Sequence, residues 1–224
     1  MSTSTRRRTR AAAPDRDHSN RVHLLLSCGG VAGPLFLTTV LIQEATRDGF
    51  DPARHPLSAL SRGDLGWIQT TNFVVTGLLA AAGAVGARRV LGLGRARTWG
   101  PRLIGIYGLA LVAAAAFVTD PVAGFPTGAV AVTPSWQGQA HNTAAFVSGL
   151  ALDAACIVFA LLFRGRGQHA WAIYSGAAVA ADLTTAALAA TSHDFRWLVL
   201  GGAVTWTWAS AVSLELLRQH EANV

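Results

Sequence analysis

Six stretches of the chain are apolar over lengths that reach or approach the ~20 residues a helix needs to cross a bilayer. They are residues 22–43, 67–87, 103–119, 140–163, 170–191 and 197–217. The third is the shortest and needs to borrow from its flanks. Polar segments separate them. The longest of these, 44–66, carries Pro52, Pro56 and several charged residues, so it must lie at a membrane face. The pattern predicts an all-α fold: a polytopic membrane protein built as a bundle of six transmembrane helices. Residues 1–21 hold six arginines and almost nothing apolar, which predicts a disordered tail. Residues 22–217 form the transmembrane domain, and residues 218–224 a short C-terminal tail.

The spans are marked internally by small residues. Gly29 and Gly33 have the four-residue spacing that lets helix backbones approach. Gly77, Gly83 and Gly86 smooth the second span, and Pro34 bends the first by freeing a carbonyl one turn back. These features point to packing. Asp153 and Asp182 are different. Each lies about the middle of its span, in helices joined by a short loop, so both fall near the bilayer midplane. A charged carboxylate there costs at least ~2.5–3.5 kcal/mol. No arginine or histidine shares that depth, so at least one of them needs a proton or a hydrogen bond, with Thr184, Thr185, Thr205 and Tyr174 as candidate donors. Two readings stand: a proton relay, or a neutral interhelical contact.

Charge fixes the orientation. All 18 basic residues are arginine, and with the N-terminus inside, fourteen fall on the inner face against four outside. That asymmetry places both termini in the cytoplasm of a bacterial-type inner membrane. It also accounts for the sequence pI near 10.9 without nucleic acid, which is not expected as a partner. Trp67, Trp136 and Trp197 mark outer helix ends, and Trp99 and Trp171 inner ones. Trp206 and Trp208 lie deeper, where they pack or line an apolar ligand. The absence of lysine excludes Schiff-base chemistry and a Walker-type phosphate loop. Cys28 and Cys156 both sit in apolar runs, and two cysteines make no disulfide framework.

A second polar constellation falls on the outer rim. His55, Ser58, Ser61 and Arg62 come from the first outer loop, and Gln69 and Asn72 from the start of the second helix. Asp120 ends the third helix, where Pro121 stops it; His141 and Asn142 open the fourth. His193 and Asp194 follow the fifth. Histidines beside carboxylates can supply acid–base groups or bind a transition metal, but no two histidines stand one helical turn apart. The short antiparallel connection predicts that Asp120, His141 and at least one of His55 or Arg62 converge within hydrogen-bonding reach, directly or through a water. Either Asp120 accepts from Arg62 or His55 while His141 caps the fourth helix, or Asp120 and His141 act as a catalytic base–orienter pair. No cofactor is expected.

The quoted residues resemble a family of bacterial and archaeal membrane proteins catalogued as domain of unknown function 998, over about residues 24–190. Its marks are Gly33-Pro34-Leu35-Phe36; Gly49-Phe50-Asp51-Pro52; His55-Pro56-Leu57-Ser58-x-Leu60-Ser61-x-Gly63; and Gly66-Trp67 with Asn72-Phe73. Asp120-Pro121-x-x-Gly124-x-Pro126, His141, and Trp171-Ala172-x-Tyr174-Ser175 follow. Many relatives carry an acidic residue between the loop serine and leucine; this chain has Ala59. The resemblance implies a six-helix membrane protein and no particular activity.

Three functions compete. One is binding or processing of a lipophilic small molecule at an outward-facing polar pocket, with His55, Ser58, Arg62, Asn72, Trp206 and Trp208 around it. Another is proton-coupled transport through Asp153 and Asp182. The third is a structural subunit whose glycine-rich faces receive another membrane protein. Membrane lipids are partners in each.

Overall fold

The computed structural model describes residues 16–92 and 94–223. They form six helices: α1 (Arg16–Thr46), α2 (Gly66–Val90), α3 (Arg95–Ala116), α4 (Trp136–Gly165), α5 (His169–Ser192) and α6 (Arg196–Glu221). A short 3-10 turn, Leu57–Ser61, interrupts the first long loop. No strand occurs among the described residues. All six helices are long and apolar enough to cross a membrane, and the chain is an integral membrane protein. Its perimeter has the inverse of a water-soluble surface: Leu24, Leu78, Leu109, Leu161 and Ile173 are all more than half exposed. Such a girdle suits lipid.

Each helix packs on its sequence neighbours, and α6 returns to α1, so the bundle closes as a ring. Helices α2 and α4 also touch α6 across the interior. Glycine contacts set how closely the ring closes. A Cβ on Gly29 would come 3.0 Å from Cα of Gly83, and one on Gly83 2.7 Å from Cα of Gly29, so α1 and α2 meet backbone to backbone. Gly77 and Gly108 do the same for α2 and α3, each facing the other's carbonyl. At Pro34 the ring is stitched instead by Ser210 of α6. Its hydroxyl accepts from the Gly33 amide at 2.9 Å and donates to the Gly29 carbonyl at 3.1 Å. A polar side chain thus serves the backbone beside the proline, as irregular helices in membranes require.

The helix ends reach further than the apolar runs. α1 begins at Arg16, so residues 16–21 are helix rather than tail; the expected disorder of residues 1–15 falls outside the described residues. Asp17 in its first turn suits the positive end of the helix dipole. α6 continues to Glu221, taking up most of the expected C-terminal tail. α3 takes its missing length from the polar flank, starting at Arg95, and stops at Ala116, short of the expected residue 119. Val118 and Thr119 are β-branched, and Pro121 disfavours helix at the residue before it. Hydropathy marks the part of a helix that meets lipid, whereas hydrogen bonding carries it into the interface.

Candidate functional site

The face opposite the two described chain ends is closed by the loops 47–65 and 117–135, which interlock. Phe125 is the plug, 2% exposed, seated edge-on to Phe50 at 5.1 Å and against His55 at 5.7 Å. The Arg47 guanidinium lies 5.3 Å above the same ring and donates to the Leu60 carbonyl at 3.1 Å and the Arg62 carbonyl at 2.5 Å. The α5–α6 connection joins this cap through the Phe195 amide, which donates to the Ala53 carbonyl at 3.0 Å.

The predicted rim residues gather along the segment after α3, each on its own partner. His55 takes the Asp51 amide on Nδ1 at 2.9 Å, so its Nε2 carries the proton and donates to the Ala123 carbonyl at 3.1 Å. Arg62 Nε donates to the Thr119 carbonyl at 2.5 Å. Asp120 accepts from Ser135 twice, from the amide at 2.8 Å and the hydroxyl at 2.6 Å. Ser135 is the N-cap of α4 and its hydroxyl also accepts from Gly138. A side chain on Gly138 would overlap the Asp120 carboxylate. Ser58 lends only its carbonyl, to the Ser61 hydroxyl, in the bonds made here. Asp194 is tied to Arg196 at 2.6 Å.

Two expectations need correcting. No hydrogen bond joins Asp120 to His141, Arg62 or His55 among the described residues; Asp120 serves the start of α4 through Ser135. His141 does not cap α4. It closes α3, because its Nδ1 lies 2.7 Å from the Ala114 carbonyl and 2.8 Å from that of Phe117. The cause is the early end of α3, which leaves its last carbonyls open to the imidazole arriving from α4.

The hydroxyl and then the amide of Ser135 hold the Asp120 carboxyl below its ordinary value of 3.8, with Arg62 adding a smaller push. A depressed carboxyl stabilises the fold above that value, and the contribution is lost as pH falls through the folded-state pKa. Asp120→Asn is therefore expected to lower the thermal midpoint at neutral pH. The gap from the unaltered protein should close toward the acid end of a pH series. A gap independent of pH would contradict the assignment.

Beneath the cap lies a layer of buried, uncharged polar side chains. Gln43 Nε2 of α1 donates to Gln69 Oε1 of α2 at 2.8 Å, and Asn72 Nδ2 donates to the Phe36 carbonyl at 3.2 Å. The Thr76 hydroxyl approaches Asn72 Oδ1 at 3.4 Å. His141 borders the layer, its ring 5.9 Å from that of Phe73, one turn beyond Gln69. Carbonyls only accept, so Nδ1 of His141 is protonated; a second proton on the buried, partnerless Nε2 would leave a charge uncompensated in the interior, so Nε2 keeps its lone pair. That Nε2 is buried without a partner, as are Gln69 Nε2 and Gln43 Oε1. Leaving such an atom unsatisfied costs about 1–3 kcal/mol. One donor and two acceptors in and beside the layer are thus left without a partner.

A family model described as a protein of unknown function (DUF998) matches residues 30–215. The chain belongs to the DUF998 family. No curated protein and no solved structure matches it. The stretch this chain shares with DUF998 contains the whole cap and the whole polar layer. Sequence reasoning placed Gln69 and Asn72 on the rim but missed Gln43 and Phe125. Gln69, Asn72 and Thr76 fall at helical spacing on one face of α2, a signal that was present.

The other candidates in this DUF998 chain have different surroundings. Trp208 is fully buried and its indole donates to the Ser175 hydroxyl at 2.9 Å. Trp206 stands edge-on to Phe36 at 4.6 Å and borders an interior cavity of about 10 Å³. That volume holds about one water, not a lipophilic ligand. Asp153 and Asp182 lie within electrostatic reach of each other. The expected threonine donors are not used: Thr184, Thr185 and Thr205 all bond carbonyls of their own helices. Their short side chains fold back onto the preceding turn. Asp153 Oδ1 is buried without a partner. Among the described residues no three His, Cys, Asp or Glu side chains cluster closely enough to hold a metal ion.

Proposed function

We propose that this protein binds or processes a lipophilic small molecule at an outward-facing polar pocket, with the layer around His141 receiving the molecule's uncharged polar end. The observation that carries the reading is the bare lone pair of His141 Nε2, buried at 1% exposure while Nδ1 is locked onto two carbonyls. An imidazole held in one tautomer is a directed acceptor or general base. With no charged group bonded into the layer, a hydroxyl, carbonyl or amide fits it better than a phosphate or a carboxylate.

The test is mass spectrometry of the molecules that accompany the detergent-purified protein. A species enriched over bulk lipid is expected with the unaltered chain. His141→Asn, whose amide can still donate where Nδ1 does but offers no nitrogen lone pair at Nε2, is expected to fold and lose it. Retention of the species by His141→Asn would overturn the reading.

A second reading, proton-coupled transport, is favoured by one observation, the unpartnered Asp153 Oδ1 beside Asp182. It ranks lower because the expected relay of hydroxyls around the pair is turned back onto the helices.

A further inference from the structure

The face that carries the described ends of the chain holds a second site, unrelated to the polar layer. The end of α2, the turn after α4 and the last turns of α6 enclose a cavity of about 410 Å³. Arg89, Arg166 and His220 line it, with Gln219 between them and Val90 and Leu216 forming its apolar wall. The two arginines come from different elements, and neither takes part in an ion pair among the described residues. Arg166 reaches only the amide oxygen of Gln219, at 3.5 Å. The nearby acids are already engaged: Glu215 with Arg218 at 2.8 Å, and Glu221 with His23 at 3.1 Å. Two uncompensated guanidiniums therefore face one cavity, at the depth where apolar helix ends give way to water.

We propose that this cavity binds the phosphate headgroup of an anionic phospholipid. Guanidiniums pair with phosphate oxygens through two parallel hydrogen bonds, and His220 stands beside them on the cavity wall. Val90 and Leu216 close the cavity on the core side, and the cavity sits at the end of the bundle, where helices that cross a bilayer meet its headgroup layer. Basic pockets between helix ends are the usual form of such sites.

Native mass spectrometry of the full chain in detergent tests this, with phosphatidylglycerol and phosphatidylcholine of matched acyl chains as probes. Phosphatidylglycerol is expected to be retained in preference to phosphatidylcholine. Arg89→Gln combined with Arg166→Gln should lower its retention by on the order of tenfold or more, since each hydrogen bond between a guanidinium and a phosphate is worth on the order of tenfold. Arg88→Gln combined with Arg97→Gln, on the same face but outside the cavity, should leave retention unchanged. If the first pair does not fold, Arg166→Gln alone, at an exposed turn, should still lower retention by on the order of tenfold. Equal retention of the two lipids, or equal loss from the control pair, overturns the proposal. So does inorganic phosphate raising the thermal midpoint as much as phosphatidylglycerol does, which would assign the cavity to a soluble anion.

Discussion

Gly33→Leu is expected to yield no monodisperse folded protein, and Gly33→Ala to lose about 3 kcal/mol of stability. A Cβ at position 33 would overlap the Trp206 carbonyl oxygen of α6 and stand 2.7 Å from its carbon and 2.8 Å from the Ser210 hydroxyl. The obstacle is backbone, which cannot rotate aside as a side-chain end can. The same overlap would displace Ser210, which serves both Gly29 and Gly33 beside Pro34. The α1–α6 contact closes the ring, so the damage is not confined to one pair of helices. Gly149 is the comparison: nothing lies within 4 Å of its Cβ position. Gly149→Ala should be neutral or stabilise by up to about 1 kcal/mol, the helix preference of alanine over glycine. Thermal unfolding and size-exclusion profiles in one detergent check both. Equal effects at 33 and 149 would mean the ring is not closed by glycine contacts.

His141→Ala is expected to cost about 3–5 kcal/mol. Losing the donor strands the Ala114 and Phe117 carbonyls at the end of α3, worth about 1–3 kcal/mol. Removing a ring that is 1% exposed leaves a cavity beside Phe73, which accounts for the remainder. His141→Asn replaces the Nδ1 donor but not the ring volume, so about half of the loss should return. The two variants thus separate what His141 does for the fold from what Nε2 does for a ligand. Thermal unfolding gives the first, the co-purified species the second. If Asn restores no stability, the bonds to Ala114 and Phe117 are not the ones that matter.

The six helices were legible because lipid demands long apolar runs, and those runs contain few charged residues. Their ends were less so. Arg95–Arg102 of α3 and Arg16–Arg21 of α1 are helical but polar in sequence, because backbone hydrogen bonding carries a helix past the end of its apolar run. The glycine contacts could be read at Gly29 and Gly33 from spacing alone, but their partners could not, since Gly83 and Trp206 are far away in sequence. The rim was legible as a set of residue types sharing one depth. Its pairings were not. Charge alone points Asp120 to an arginine or a histidine, yet it bonds Ser135 because the α4 start lies directly against it. His141 was placed on its own helix, yet it closes α3, since α3 ends earlier than its hydropathy does. Gln43 went unnoticed because an uncharged amide at the end of an apolar span hardly disturbs hydropathy, and its partner Gln69 is 26 residues away.

The central claim is that His141 presents a bare Nε2 to the layer beneath the cap. Nitrogen-15 NMR of the histidine-labelled protein in bilayers at neutral pH, assigned against His141→Asn, reads that nitrogen directly. The account predicts a neutral ring protonated on Nδ1, with an Nε2 signal that shifts when co-purified lipophilic molecules are stripped away. A ring protonated on Nε2 alone, or an Nε2 signal indifferent to stripping, would contradict it.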